Sequence, residues 1–138
     1  LKMLQPLGID AHINQIMPVG RAVQNLRQYF KHTSLYGPCE SEPLIGNVLT
    51  NPESICIEPS GSIDVCWHLA IGNAKQEPLG QMISDYDWRK HLIIKTLVEG
   101  GPSGLLRLHE VQSYQLQEDS YINKCHLCIE IRKTLSIK

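Results

Sequence analysis

The sequence predicts an α+β domain, and three observations carry that expectation. Two short β-prone runs, Ser54–Glu58 and Ser62–Cys66, flank Pro59–Ser60–Gly61, a composition suited to a hairpin turn. Stretches with apolar residues at helical spacing lie on both sides of that hairpin. The chain has 138 residues, 42% of them hydrophobic and 20% charged, which is enough for one domain with a core of its own.

The elements follow in chain order. Residues 1–8 read as the end of a helix closed by Gly8. Residues 10–17 alternate loosely through Ala11, Ile13 and Ile16 and read as a strand. After the turn at Pro18–Val19–Gly20, residues 22–30 place Ala22, Val23, Leu26, Tyr29 and Phe30 at helical spacing. This makes a strand–helix unit of the kind found at an α/β edge. Residues 31–52 are broken by Gly37–Pro38, Pro43, Gly46 and Asn51–Pro52 and read as a long irregular loop holding Cys39 in an exposed turn.

The hairpin comes next, followed by Ile71–Gly72–Asn73 and a polar stretch. Residues 78–83 read as a short helix, and 86–99 as a longer one. Its apolar face is Trp88, Leu92, Ile93, Leu97 and Val98, its N-cap is Asp85 or Asp87, and Gly100–Gly101 stops it. Residues 103–109 read as a further short helix, 112–123 as polar loop and 127–135 as a final short helix.

Composition narrows the function classes. Thirteen basic residues face fourteen acidic ones, so electrostatics give no reason to expect nucleic acid or an acidic membrane as partner. No apolar run approaches the roughly 20 residues that span a bilayer. The opening residues lack the basic start, apolar middle and small-residue cleavage site of a signal peptide, and Leu1 suggests a chain cut from a longer protein. The expected compartment is the cytoplasm.

Five cysteines are an odd number, and in a reducing compartment close-set cysteines bind metal or do redox chemistry more often than they form disulfides. Cys125-His-Leu-Cys128 is the sharpest local signal. Two residues between the cysteines put both sulfurs on one side of a turn, where they can hold one tetrahedral metal or two irons of one cluster. No βαβ pattern surrounds the pair, which argues against a thioredoxin-like dithiol.

Cys66 at the end of the second hairpin strand and Cys39 in the irregular loop are candidate further ligands. Cys56 alternates with Ile55 and Ile57 and reads as a small packed hydrophobe. Soft thiolates suit zinc or iron–sulfur clusters, and dispersed single cysteines ahead of one close pair fit the cluster better.

The residues Ile57-Glu-Pro-Ser-Gly61-Ser-Ile-Asp-Val-Cys66, then Ile71-Gly-Asn73 and Pro78-Leu79, resemble the auxiliary-cluster domain, of SPASM or twitch type, of radical S-adenosylmethionine enzymes. In that family a cysteine follows a hairpin glycine after four residues, as Cys66 follows Gly61. Gly20-Arg21-Ala22 is similar to the segment leading out of the family's catalytic barrel, and Cys125–Cys128 looks like the closing ligand pair.

The resemblance covers about residues 10–135. It implies that residues 1–31 are the terminal strand–helix piece of a TIM-like partial barrel and residues 32–138 the auxiliary domain. It also implies that Cys39, Cys66, Cys125 and Cys128 ligate one auxiliary 4Fe–4S cluster.

Two departures stand out. Cys39 lies farther from Gly61 than the family's first ligand usually does, so Cys56 competes for that role. No cysteine follows Cys128, which favours the one-cluster type. The family's catalytic Cys-x-x-x-Cys-x-x-Cys motif is absent, so S-adenosylmethionine and a second 4Fe–4S cluster are expected only in a full-length parent. The implied partners are the missing barrel of the same chain and a peptide or small-molecule substrate. The reading that competes from another class is a structural zinc module for protein interaction, with His68 as a possible ligand.

Other candidates rank below these. His126 is expected beside the site or facing solvent. His12, His32, His91 and His109 are isolated. Gly100-Gly-Pro-Ser-Gly104 lacks the Gly-Lys-Ser/Thr ending of a phosphate loop and reads as turn chemistry. Trp67 and Trp88 are expected in the core or shielding a cluster, and Arg21 near a domain junction or on a helix surface.

Overall fold

A computed structural model describes residues 19–39 and 48–135. The helix end expected at residues 1–8 and the strand expected at 10–17 lie outside the described residues. Among the described residues the architecture is mixed α and β, with a small antiparallel sheet and four α-helices, α1 (Arg21–Leu26), α2 (Leu79–Ser84), α3 (Leu92–Gly104) and α4 (Lys124–Thr134).

The sheet has the order β1-β2-β3, with β1 at Cys56–Ile57, β2 at Ser62–Cys66 and β3 at Leu69–Asn73. The expected hairpin is present: Cys56 faces Asp64 and Ile57 faces Ile63. Gly61 closes its turn with φ 91, a left-handed conformation that glycine adopts without steric penalty, and its N–H donates to the Glu58 carbonyl. Ile71-Gly-Asn73 is a third strand rather than a connection. Cys66 faces Leu69 across a two-residue turn, Trp67–His68, with His68 held at φ 48.

Asp87 caps a 3-10 turn, Trp88–Lys90, by accepting from the Arg89 N–H at 3.0 Å, and α3 itself starts at Leu92. The helical backbone that starts at Leu92 stops at Gly100–Gly101, as expected, although helical turns resume directly beyond it. Gly101, at φ 68 and ψ −168, breaks the helical path and kinks the span, and Pro102 then restarts helical turns. The short helix expected over 103–109 is a pair of 3-10 turns, Leu105–Arg107 and His109–Val111, beyond α3.

The final helix starts three residues earlier than expected. Asn123 Oδ1 accepts from the His126 N–H at 2.9 Å, and His126 Nδ1 in turn accepts from the Ile122 N–H at 3.3 Å. This reciprocal cap places the cysteine pair in the first two turns of α4.

The core sits between α3, α4 and the sheet. Leu49, Leu105, Leu127 and Ile131 are fully buried, joined by Ile94, Leu97, Val65 and Leu69. Burying one such side chain contributes about 1.5–3 kcal/mol. Among the described residues no helix is long and apolar enough to cross a membrane.

Candidate metal centre

Three separate segments bring the cysteines toward one region. The segment from Arg27 to Cys39 runs alongside the stretch that leads into α4. Arg27 donates to the carbonyls of Ser120 and Asp119, Thr33 N–H donates to the Ile122 carbonyl, and the Tyr36 hydroxyl meets the Glu118 carboxylate. Gly37–Pro38 then passes against the α3 kink. A Cβ on Gly101 would stand 1.9 Å from the Gly37 carbonyl oxygen, so the backbones touch there and only glycine fits. The buried Lys124 of α4 donates from Nζ to the Pro38 carbonyl at 3.2 Å. These contacts bury Cys39, which stands in a packed position and not in the exposed turn that its sequence suggests.

Cys66 enters from the end of β2, and Cys125 and Cys128 from α4. Arg132, one helical turn beyond Cys128, fixes β2 to α4 by donating to the carbonyls of Trp67 and His68 in the turn after Cys66. None of the five cysteines forms a disulfide.

Electrostatics report the convergence. Burial pushes the Cys39 thiol well above its ordinary range, and the neighbouring sulfurs of Cys128, Cys125 and Cys66 push it further, while Lys124 pulls the other way. Burial raises Cys128 as well, against Arg132, with Cys66 adding to the rise. Burial also raises Cys66, opposed by the Trp67 backbone N–H and by Arg132. Cys39 therefore lies within electrostatic reach of Cys66, Cys125 and Cys128, and Cys66 of Cys128, with Lys124 beside Cys39 and Arg132 beside Cys66 and Cys128.

The spacing of the sulfurs is informative. Among the described residues one group of three possible ligands has all its ligand atoms within 4.8 Å of one another: Glu58, Asp64 and His68. No three cysteine sulfurs meet that limit. Four thiolates on one zinc at about 2.3 Å would lie about 3.8 Å apart, whereas the corners of an iron–sulfur cubane hold them roughly 6–7 Å apart.

Cys56 stands apart. It is exposed on β1, and its sulfur lies 3.7 Å from Glu58 Oε1 instead of packing as a small hydrophobe. Its alternation with two isoleucines misleads because β1 is a two-residue edge strand with both positions exposed. His68 likewise faces Glu58 and Asp64, each at 3.9 Å, and not the sulfurs. Asp64 is buried and accepts from Ser62 Oγ at 2.6 Å. These three residues line an open depression of about 840 Å³ over β2 and β3.

His126 is buried and does not face solvent, the first of the two placements open to it. Its work is capping α4, and burial keeps its pKa below the ordinary range, as an imidazole that accepts a backbone N–H requires. Trp67 is 47% exposed in the β2–β3 turn and shields little, while Trp88 is half-buried with the Arg89 guanidinium 4.5 Å over its ring.

Lys124 and Arg132 are absent from the residues singled out by sequence. A signal existed: Lys124, Cys128 and Arg132 recur at four-residue intervals, which is one face of a helix.

The raised thiols make a pH prediction for the metal-free protein. Cys39, Cys66 and Cys128 bind their protons more tightly folded than unfolded, so their contribution is complete below about pH 9 and is lost as pH rises from there toward the raised values. Urea denaturation between pH 8 and 10.5 should show stability falling, with a shallower fall in Cys39→Ala. Equal slopes for the two proteins would show that Cys39 is not buried as a thiol.

No protein-family model, no curated protein and no solved structure matches this chain.

Proposed function

We propose that this chain holds one 4Fe–4S cluster on Cys39, Cys66, Cys125 and Cys128 and is the auxiliary-cluster part of a radical S-adenosylmethionine enzyme. The observation that carries the reading is the meeting of four thiols from three remote segments, two of them buried, around Cys39.

Charge supports the same reading. A thiolate-ligated cluster is an anion, and the buried Lys124 and the half-buried Arg132 stand beside the sulfurs to balance it. Cys125 and Cys128 lie near the N-terminus of α4, where the helix dipole favours the thiolate form. Cys56 is left out of the proposed ligand set because it is exposed and its sulfur faces Glu58.

In the proposed assembly residues 1–31 close a catalytic barrel supplied by preceding sequence, and S-adenosylmethionine and the second cluster bind there. α1 has no buried residue and Tyr29 is 76% exposed, which suits a surface awaiting that body. An auxiliary cluster supplies one-electron transfer or a site against which a peptide or small-molecule substrate is positioned. The proposed compartment is the cytoplasm, where reduced thiols persist.

The test is anaerobic reconstitution with iron and sulfide, read by visible absorption and metal analysis. Wild type and Cys56→Ser should turn brown with about four irons per chain, and Cys128→Ala should not. A colourless wild type that instead retains one tightly held zinc would replace this reading with a structural zinc module.

A further inference from the structure

Arg132 has a feature that tethering the β2–β3 turn leaves unexplained. Its two terminal nitrogens are occupied by the Trp67 and His68 carbonyls, but Nε is buried and meets no hydrogen-bond partner. A buried N–H without an acceptor is costly, about 1–3 kcal/mol, and is uncommon in folded proteins. The surroundings say what the missing acceptor is. Arg132 follows Cys128 by one helical turn on α4, and Cys128 is the sulfur that its guanidinium faces. A neutral thiol is a weak acceptor, whereas a thiolate is a strong one.

We propose that the Nε–H of Arg132 donates a hydrogen bond to the Cys128 sulfur when that sulfur is a cluster ligand, and that Arg132 thereby sets the cluster's reduction potential. Arg132 is a positioning and tuning residue and does not ligate iron. The inference rests on the auxiliary-cluster reading above.

The physical reason is that reduction adds one electron and hence one negative charge to the cluster and its thiolates. A hydrogen bond and a positive charge at a ligand sulfur stabilise the reduced form more than the oxidised one, so they raise the potential. The geometry is preorganised. The guanidinium is held by two carbonyls, so engaging the third donor costs little further side-chain freedom. Lys124 lies at the other end of the same helix face, beside Cys39, and its ammonium reaches the Pro38 carbonyl. Arg132 is therefore the cation assigned to the Cys66–Cys128 side.

The experiment compares reconstituted wild type, Arg132→Lys and Arg132→Met. Iron content and absorption are read first, then the midpoint potential by anaerobic titration. The expected order of potentials is wild type highest, Arg132→Lys lower and Arg132→Met lowest, at equal iron content. Equal potentials in three fully loaded proteins would overturn the proposal and leave the cluster reading intact. A wild type that forms no brown chromophore would overturn both.

The variants lose the tether to the β2–β3 turn as well, and they risk losing the cluster for that reason alone. A second measurement on unaltered protein covers that case: pulsed electron paramagnetic resonance of the reduced wild type grown with 15N-arginine. A resolved 15N coupling supports the hydrogen bond, and its absence overturns it.

Discussion

Gly101→Ala should destabilise the metal-free protein by about 3 kcal/mol or more and abolish cluster loading. Two penalties add. A Cβ is disfavoured at φ 68 and ψ −168, a conformation left almost wholly to glycine, at about 1–3 kcal/mol. It would also stand 1.9 Å from the Gly37 carbonyl oxygen, a contact that only movement of one backbone can relieve. The segment that must move is Gly37–Pro38–Cys39, so the strain falls directly on a proposed ligand.

The neighbouring Gly100→Ala is the control. A Cβ there meets nothing within 4 Å, its φ is not positive, and it lies inside α3. It should gain about 0.5–1 kcal/mol from the better helix propensity of alanine. Urea denaturation and iron analysis of both variants give the comparison. Matching behaviour of the two would mean that the α3 kink does not seat the Cys39 segment.

The second large effect is expected in Leu127→Ala. Leu127 lies between the two cysteines of α4, and its side chain is fully buried in the same core that holds Cys39 and Cys128. Truncation removes transfer free energy and leaves a cavity, together worth about 2–5 kcal/mol. Leu92→Ala provides the scale for a harmless change, since Leu92 is 63% exposed on α3 and should stay within about 0.5 kcal/mol of wild type. Loosening α4 in Leu127→Ala should also weaken cluster retention, read as faster bleaching under an iron chelator. A loss no greater than that of Leu92→Ala would remove α4 from the core as drawn here.

These two sites show which parts of the protein were legible at each level. The hairpin was readable because its cause is local. Pro-Ser-Gly forces a turn, Gly61 takes the positive φ, and β-prone residues flank it. The helices around it were readable in existence through the spacing of Trp88, Ile93 and Leu97, and of Leu127 and Ile131. Their ends were not. α4 begins at Lys124 because Asn123 Oδ1 accepts the His126 N–H while His126 Nδ1 accepts the Ile122 N–H, and a histidine in that role is not part of the usual sequence signature. β3 was missed because Ile71-Gly-Asn73 contains a glycine and an asparagine, and pairing with β2 supplies what its own propensity lacks.

For the candidate site, the sequence by itself determined the chemistry on offer: five soft sulfurs, one close pair, and a composition without a nucleic-acid or membrane signature. It left Cys39 in an exposed loop and Cys56 in a packed strand. Tertiary structure reversed both, burying Cys39 and exposing Cys56. The reason is that neither cysteine's burial is set by its neighbours in sequence. Cys39 is sealed by Gly101 and Lys124, residues more than 60 positions away, while Cys56 sits on a sheet edge that nothing covers among the described residues. The placement of Lys124 and Arg132 beside the sulfurs is likewise a product of the helix they share with Cys125 and Cys128 and of the segments packed against it. Local patterns determine which ligands a chain carries, and long-range packing decides which of them meet.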